Sequence, residues 1–313
     1  MRSRASGSLV SVVLPTRNRP DALGSALRSV LEQTYRSLEV VVVDDASEPD
    51  VAEVVERVAG GDPRVVLTRL ERRSGAARAR NIGLERASGE LVAFLDDDDL
   101  WLPTKLARQV DYLDSHPDVG LVSCDYELSS GDPGGGVLYR GPNAFTAEQV
   151  QWMNFPGSFS FVMARRDLVD GELRLDESFP SVEDWDLWLR CGRRARFGVV
   201  QEPLVRHVRH GGLSRPESEQ RGLEVFIAKH GPTLPPECRV YLRAHLKMLS
   251  GEGWRHAAAV ARSMFTRSLG VSGLLVCEQT AEQLGELRRD PGLVARAMAR
   301  LIGPGGRLRV RST

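Results

Sequence analysis

Lysine is scarce in this chain of 313 residues, where it occurs only at Lys105, Lys229 and Lys247. Arginine supplies the other basic residues, and Lys and Arg together number 42, which equals the number of Asp and Glu. A chain without net charge has no overall electrostatic field that attracts nucleic acid. We therefore expect no nucleic-acid partner.

Cysteine is also rare, and its spacing is not that of a metal site or a disulfide framework. The four cysteines are scattered, and no two of them form a C-x-x-C pair. This usage favours reduced thiols and hence a cytoplasmic protein. The sequence also lacks an apolar run long enough to cross a bilayer, and its first residues lack the apolar segment of a signal peptide. We expect a cytoplasmic protein, and peripheral contact with the inner face of the membrane stays open.

The first half of the chain alternates apolar strands with amphipathic helices. The strands are predicted at residues 9–15, 38–43, 64–70 and 90–95. Continuous apolar strands separated by helices indicate an α/β fold, a mostly parallel Rossmann-like sheet with helices on both faces. Polar residues follow three of these strands, at 15–18, 44–45 and 96–99. Because ligands bind at the carboxyl ends of such strands, these groups should converge on one crevice.

The second half changes character near residue 216. Before that point, residues 181–195 have the apolar spacing of an amphipathic helix. After it, helical patterns follow one another without a strand pattern. We predict two domains, an α/β domain over residues 1–215 and a helical C-terminal region over residues 216–313. That region could cover an acceptor, form a homodimer or rest on a membrane surface, and the sequence does not choose among these.

Four consecutive aspartates, Asp96 to Asp99, follow the fourth predicted strand. Unit charges ~4 Å apart repel by roughly 4 kcal/mol at an effective dielectric constant of about 20, so the run needs a compensating partner. One alternative is a helix start, with Pro103 in the first turn and an aspartate as the cap. One or two carboxylates suffice for that role, whereas Mg²⁺ or Mn²⁺ takes carboxylate oxygens together with phosphates. The excess of acids favours a divalent cation.

Five segments, in order along the chain, carry a resemblance to a known family. They are SVVLPTRNRP, EVVVVDDAS, GAARARNIGL, FLDDDDLW and EDWDLWLR. On these segments the region from about Leu9 to Ser214 resembles glycosyltransferase family 2, whose fold is called GT-A. The resemblance implies a nucleotide-sugar donor, a divalent metal (Mn²⁺ or Mg²⁺) and inversion at the anomeric carbon. It also implies a carbohydrate, lipid-linked or small-molecule acceptor.

The resemblance assigns the first two strand ends to the nucleoside of the donor. Pro15, Thr16 and Arg17 match a loop that contacts the nucleoside in similar enzymes. Asp45 matches the acid that bonds the nucleobase, and a uracil N–H would suit it, so a UDP-sugar is favoured. Asp44 shares that task or holds the loop, and a simple strand-end turn is the alternative for both acids.

In similar enzymes the helix face that carries Arg78 and Asn81 looks at the nucleotide, so the resemblance predicts that both face the donor diphosphate. They stand three residues apart on one helix and therefore share a face, and a guanidinium suits a diphosphate through paired hydrogen bonds. The alternative is a solvated basic face that also includes Arg80 and Arg86.

Within the four aspartates, the D-x-D pattern of the family maps to Asp96 and Asp98. We assign Asp98 to the metal, and Asp96 or Asp97 to the ribose side, with the register of the ligands open by one position. Asp96 is therefore a candidate for both roles. His210 resembles a histidine that some relatives add as a metal or diphosphate ligand, and the nearby His207 is the alternative.

Asp184 is the predicted catalytic base, and Glu183 is the second candidate. A carboxylate can deprotonate the acceptor hydroxyl as it attacks the anomeric carbon. The alternative is structural, because Ser181 and Asp184 have the spacing of a capping box. A helix start would lower the pKa of Asp184 and burial would raise it. Four tryptophans are candidates for stacking on sugar rings: Trp101, Trp152, Trp185 and Trp188, the last by its spacing better suited to the core.

The sequence thus predicts an inverting, metal-dependent glycosyltransferase. A signalling receiver domain is disfavoured because its acid pair should follow the first strand. A sugar-nucleotide pyrophosphorylase is disfavoured because PTRNRP contains no glycine. A non-catalytic nucleotide-sugar-binding scaffold or sensor stays open as an alternative.

Overall fold

A computed structural model describes residues 7–129, 136–139, 145–167, 171–208 and 216–250. The strands of this part are β1 (Val10–Thr16), β2 (Leu38–Asp44), β3 (Val65–Arg69), β4 (Leu91–Phe94), β5 (Leu100–Trp101), β6 (Val119–Ser129), β7 (Gly136–Tyr139), β8 (Met163–Arg165) and β9 (Arg196–Val208). The α-helices are α1 (Pro20–Leu31), α2 (Ala52–Ala59), α3 (Ala76–Arg86), α4 (Lys105–Ser115), α5 (Ala147–Val150), α6 (Glu183–Cys191), α7 (Pro216–His230) and α8 (Pro236–Leu249). Short 3₁₀ helices cover Phe159–Phe161 and Gly231–Thr233.

The nine strands form one sheet in the order β3-β2-β1-β4-β8-β6-β9-β5, with β7 paired to β6. Strands β3, β2, β1 and β4 run parallel to their neighbours. Beyond β4 the directions are mixed, because β8 is antiparallel to both β4 and β6 while β9 is parallel to β6. The predicted α/β class is confirmed, and the continuous parallel region is the half that the sequence pattern described.

Helices cover both faces of this parallel half, and successive strand residues point to these two faces in turn. Val12 of β1 belongs to the same buried cluster as Leu27 of α1. Its neighbour Val13 faces α3, where a Cβ atom on Gly83 would lie 2.3 Å from Cγ1 of Val13. Glycine at position 83 therefore allows α3 to lie close to the sheet and fixes where its side chains emerge.

The sequence analysis assigned no strand to the segments that form β6 and β9. These are parallel partners of 11 and 13 residues. Their pairing shifts register on either side of Asp125, and β9 contains Gly198 and Pro203. The shifts break the regular alternation on which a strand prediction depends.

The chain divides into two compact units, residues 1–230 and 231–313. The first contains the sheet and helices α1 to α7, and the second contains α8. The sequence analysis places the end of the α/β domain at residue 215. The division into compact units does not test this domain boundary, which stays a prediction. In the described ranges no helix has the length and apolar character that crossing a membrane requires.

Candidate active site

The polar ends of β1, β2 and β4 meet at one place in the sheet. The hydroxyl of Thr16 donates a hydrogen bond of 2.7 Å to Asp97, which follows β4. The backbone N–H of Asp45, which follows β2, donates to the carbonyl of Thr16 at 2.9 Å. Pro15 is buried within β1 and Arg17 is exposed at its end. The convergence predicted for these segments is therefore observed, at the point where the strand order reverses, with β2 on one side of β1 and β4 on the other.

The four aspartates after β4, here called the acid turn (Asp96–Asp99), alternate in exposure. Their side chains are 24%, 8%, 25% and 0% exposed in chain order. Asp96 and Asp98 are thus the two carboxylates that a ligand can reach. Asp97 and Asp99 are buried, and burial raises the pKa of each.

Arg19 and His207 pair with carboxylates of the acid turn. Arg19 donates from one nitrogen to Asp97 at 3.1 Å and to Asp98 at 2.7 Å. His207 lies with Nδ1 2.7 Å from Asp99. Burial lowers the pKa of His207, but the bond to Asp99 and the charges of neighbouring acids outweigh it, so its pKa is raised.

The helix-start interpretation of the acid turn is wrong. Helix α4 begins at Lys105, and its N-cap, Thr104, makes no side-chain capping bond. Strand β5 separates the acid turn from this helix, and Pro103 lies before the cap rather than inside the first turn. The carboxylates therefore have no capping role for α4.

Arg80 is a side chain of the candidate site to which the sequence analysis gave no role. It is buried, and it donates to Asp96 at 2.5 Å and to Glu183 at 3.1 Å. Its guanidinium also lies 3.9 Å from the ring centroid of Phe159. The idea of a solvated basic face is wrong for this arginine. Its position three residues before Gly83, on the face of α3 that approaches the sheet, was the available indication.

Arg78 and Asn81 make their hydrogen bonds elsewhere than the acid turn. The Asn81 amide donates to the carbonyl of Leu175 at 3.0 Å and accepts the N–H of that residue at 2.8 Å. Glu177 accepts from Asn81 at 2.8 Å and from Arg78 at 3.2 Å. The two residues share a face as predicted, but in this structure that face holds residues 175–177, and their role toward a diphosphate stays a prediction.

Asp44 and Asp45 differ in their surroundings. Asp44 accepts from the backbone N–H of Ser47 at 3.0 Å and from Arg69 at 3.1 Å, so it holds the loop after β2. Asp45 accepts the backbone N–H groups of residues 74–75 at 2.5 and 2.9 Å. A carboxylate can accept about four hydrogen bonds, so Asp45 keeps capacity for a nucleobase, which remains its predicted role.

The segment before α6 does not form the capping box that the sequence allows. Helix α6 begins at Glu183, its N-cap is Val182, and no side chain caps it. Ser181 lies outside the helix. The capping interpretation of Asp184 is therefore wrong, and its carboxylate is left for another role.

Asp184 is half-buried and its pKa is raised to about 7. Burial is the main cause, and repulsion by Glu183 adds to it. Hydrogen bonds from Asn154 (2.8 Å) and from the backbone N–H of Trp185 (2.7 Å), together with the charge of Arg80, act in the opposite direction. A carboxylate with this pKa is suited to take a proton near neutral pH.

Three non-glycine residues of the described part have positive φ, and each borders this site. Asn18 (φ 56°) precedes Arg19, Ala46 (φ 54°) follows Asp45, and Val182 (φ 57°) precedes α6. Such backbone conformations cost of order 1–3 kcal/mol and cluster at functional sites. The three loops that form the site are thus held in conformations that surrounding packing must stabilise.

The remaining candidates have mixed outcomes. His210 lies outside the described residues. Three tryptophans are buried in the core, so the prediction that they stack on a sugar ring is wrong: Trp101, Trp185 and Trp188. Trp152 is half-buried.

The acid turn fits a divalent cation by the chemistry of its donors. Asp96 and Asp98 are the reachable carboxylates, and Mg²⁺ typically combines one or two carboxylates with substrate phosphates and water. Among the described residues no group of three or more His, Cys, Asp or Glu side chains is arranged to hold a metal. A site completed by substrate oxygens does not require such a group.

A Rossmann-like parallel half, a mixed second half and an acid turn at the switch point define the GT-A class of glycosyltransferases. Residues 11–171 match the family described as Glycosyl transferase family 2. The chain belongs to this family and is a glycosyltransferase. The pyrophosphorylase and receiver-domain alternatives are therefore excluded.

Curated relatives include two from Escherichia coli, WfaP and WfgD, each named UDP-Glc:alpha-D-GlcNAc-diphosphoundecaprenol beta-1,3-glucosyltransferase. WfaP is 30% identical over 183 residues, which cover 58% of this chain and 69% of WfaP. WfgD is 32% identical over 183 residues, covering 58% and 68%. TuaG of Bacillus subtilis, named for teichuronic acid biosynthesis, is 41% identical over 105 residues, covering 34% of this chain and less than half, 42%, of TuaG.

Solved structures share the fold at low identity. S. aureus TarS 1–349 in complex with UDP-GlcNAc superposes with a TM-score of 0.61 at 18% identity, covering 94% of this chain and 86% of that one. The mannosyltransferase PcManGT from Pyrobaculum calidifontis, in complex with GDP-Man and Mn²⁺, has a TM-score of 0.58 at 23% identity, covering 95% and 86%. These likenesses establish the GT-A fold.

Proposed function

We propose that this glycosyltransferase moves a sugar from a nucleoside-diphosphate donor, with UDP-sugars favoured, to a hydroxyl of an acceptor glycan, and that it inverts the anomeric carbon. The observation that carries the proposal is the bridge made by Arg80. One guanidinium bonds both Asp96 of the acid turn and Glu183 at the start of α6. One side chain therefore links the proposed donor side to the proposed base side.

Asp184 is the proposed general base. It takes the proton of the acceptor hydroxyl while the acceptor oxygen forms a bond to the anomeric carbon. The bond from that carbon to the nucleoside diphosphate breaks, and the diphosphate leaves with the bonding electron pair. Attack from the face opposite the leaving group inverts the configuration. The pKa of Asp184, about 7, places the ionised form within reach of neutral pH.

Asp98 and Asp96 are the residues that would hold a divalent cation, Mn²⁺ or Mg²⁺. A bound cation supplies Lewis-acid stabilisation of the negative diphosphate. Asp45 and the loop of residues 15–17 are proposed to bind the nucleoside, and Arg78 with Asn81 the diphosphate. The assignments to the acid turn, Asp45 and the loop of residues 15–17 rest on the family resemblance and on the observed convergence of the strand ends. The assignment of Arg78 and Asn81 rests on the resemblance alone.

The acceptor is proposed to be a lipid-linked glycan. The names of WfaP and WfgD specify a sugar on diphosphoundecaprenol as their acceptor. An enzyme acting on such a molecule would work at the inner face of the membrane. The helical region from residue 216 is proposed to serve the acceptor side, with dimerisation and membrane contact as its other options.

A thermal-shift panel of UDP, GDP, dTDP and CMP compounds, each with and without Mn²⁺, tests the donor class. We expect a metal-dependent shift for one diphosphate, UDP first. A transfer assay with that donor and a GlcNAc-diphospholipid follows, and proton NMR of the product gives the anomeric configuration. Binding without transfer to any acceptor would favour the scaffold hypothesis, and retention of configuration would contradict the direct displacement.

A further inference from the structure

The carboxylate of Asp184 is held by two donors that belong to different segments of the chain. The backbone N–H of Trp185 bonds Oδ1 at 2.7 Å from within α6. The side chain of Asn154 bonds Oδ2 at 2.8 Å through Nδ2, and Asn154 lies 30 residues earlier, after α5. One carboxylate oxygen is thus oriented by its own helix and the other by a separate segment.

The segment that carries Asn154 is fixed to α6 on both sides of that residue. The indole N–H of Trp185 donates to the carbonyl of Val150 at 2.6 Å. The indole N–H of Trp188 donates to the carbonyl of Gly157 at 3.0 Å. These tryptophans stand three residues apart on α6, and they hydrogen-bond the segment on both sides of Asn154. The position of the Asn154 amide relative to Asp184 is therefore set by the tertiary structure and not by one flexible loop.

The carbonyl oxygen of the Asn154 side chain, Oδ1, is buried without a hydrogen-bond partner in the described part of the chain. Such groups in native structures call for an explanation. An amide offers one: its Nδ2 donates to ionised Asp184, and after a half-turn of the amide its Oδ1 accepts the O–H of protonated Asp184. While Asp184 is ionised, Nδ2 of Asn154 donates to it and Oδ1 of Asn154 therefore has no partner.

We propose that Asn154 is a positioning residue that holds the Asp184 carboxylate in the orientation from which it takes the acceptor proton. The inference rests on the proposed role of Asp184. The charged groups facing Asp184 are Glu183 beside it on α6 and Arg80 from α3. Glu183 raises the pKa of Asp184 and Arg80 lowers it, and the hydrogen bond from the neutral side chain of Asn154 also lowers it.

The proposal makes a prediction that a purely structural role does not. A hydrogen bond to the ionised carboxylate favours that form, so its removal raises the pKa. In Asn154→Leu, which keeps the volume but removes the donor, the acid limb of the pH profile of kcat/KM should move upward by roughly one pH unit. Donor binding should be unchanged, because Asn154 bonds Asp184 and not a residue proposed to bind the donor.

Thr146→Ala is the matched control. Thr146 caps α5 and so supports the same segment, yet it bonds Gln149 and not Asp184. We expect this variant to lower the thermal stability slightly and to leave the pH profile in place. If Asn154→Leu does not fold, Asn154→Ala serves with the same expectation. An equal shift of the profile in Thr146→Ala would overturn the proposal, since loosening of the segment would then be the cause.

Carbon-13 NMR of the Asp184 carboxyl carbon, assigned by its disappearance in Asp184→Asn, measures the same titration without turnover. We expect a midpoint near 7 in the wild type and a higher midpoint in Asn154→Leu. An unchanged midpoint in the leucine variant would overturn the inference. A wild type that transfers no sugar while the midpoint still moves would count against the proposed function alone.

Discussion

Asp96 and Glu183 accept hydrogen bonds from two nitrogens of one buried guanidinium, that of Arg80. The two acids are 87 positions apart in the chain and belong to the two halves of the proposed reaction. Arg80 also compensates charge, because two carboxylates this close to one another would otherwise repel. Burial lowers the pKa of Arg80, but the charges of Asp96 and Glu183 outweigh it, so the pKa is raised and the group stays ionised.

Replacement of Arg80 should therefore be costly. Arg80→Met leaves Asp96 and Glu183 without their shared partner, and breaking a buried ion pair destabilises by about 3–5 kcal/mol. Urea unfolding measures the change. The matched control is Arg78→Met on the same helix, whose pair with Glu177 is partly exposed and should be worth at most about 1 kcal/mol. Similar losses in the two variants would contradict the role given to Arg80.

Asp98→Asn should remove the metal-linked part of donor binding. Asp98 is partly exposed and pairs with a half-exposed Arg19. The free energy of unfolding of the ligand-free protein should therefore fall by at most about 1 kcal/mol. The thermal shift produced by the nucleotide with Mn²⁺ should fall to the value seen without metal. Asp114→Asn, an exposed acid on α4, is the control. A full metal-dependent shift in Asp98→Asn would transfer the ligand role to another acid of the turn.

Asp184→Asn should spare donor binding and lower kcat by about 10²–10⁴-fold, the usual contribution of a general base. Steady-state kinetics with titration of donor separates the two quantities. Glu183→Gln is the informative comparison, because it weakens the bond to Arg80 and leaves Asp184 in place. Wild-type turnover by Asp184→Asn, with loss of turnover in Glu183→Gln, would move the base assignment to Glu183.

Lys105 should make stability depend on pH. It is fully buried, its Nζ bonds Gln109 at 2.8 Å and lies 3.8 Å from the ring centroid of Trp101, and burial lowers its pKa from 10.5 to about 7. Between these values the unfolded chain binds more protons than the folded chain, so the free energy of unfolding rises with pH.

Lys105→Met lacks this titration. The free energy of unfolding of the variant minus that of the wild type should therefore fall from pH 7 to 10.5, by at most roughly 1.4 kcal/mol per pH unit. Denaturant unfolding at several pH values gives the difference. A difference that stays constant over this range would show that Lys105 keeps its proton in the folded protein.

Much of the parallel half was predictable from the sequence. Strands β1 to β4 and helices α1 to α3 follow from apolar runs and helical spacing, both of which involve near neighbours in the chain. Gly60 adopts the left-handed conformation and ends α2, as glycine commonly does at the end of a helix. Strands β6 and β9 were not predictable in this way, because they pair with each other across a bulge and a long separation in sequence.

The site was predictable as a location but not as a set of contacts. The acid turn, the acids after β2 and the pair at the start of α6 were all identified by residue type and by their places at element ends. Arg80 was missed because its neighbour Arg78 had the more obvious spacing. Asn154 was missed because nothing in the residues around it indicates a partner 30 positions away.

By itself the sequence determined the α/β alternation, the gathering of acids at strand ends and the family to which the chain belongs, since each depends on residue order and short-range pattern. Only the tertiary structure decided which aspartates of the turn are reachable, which arginine bonds both the acid turn and Glu183, and what holds Asp184. The physical reason is distance along the chain. Thr16 and Asp97 are 81 residues apart, and Arg80 and Glu183 are 103 apart. Such partners meet only when the packed sheet and helices bring them together.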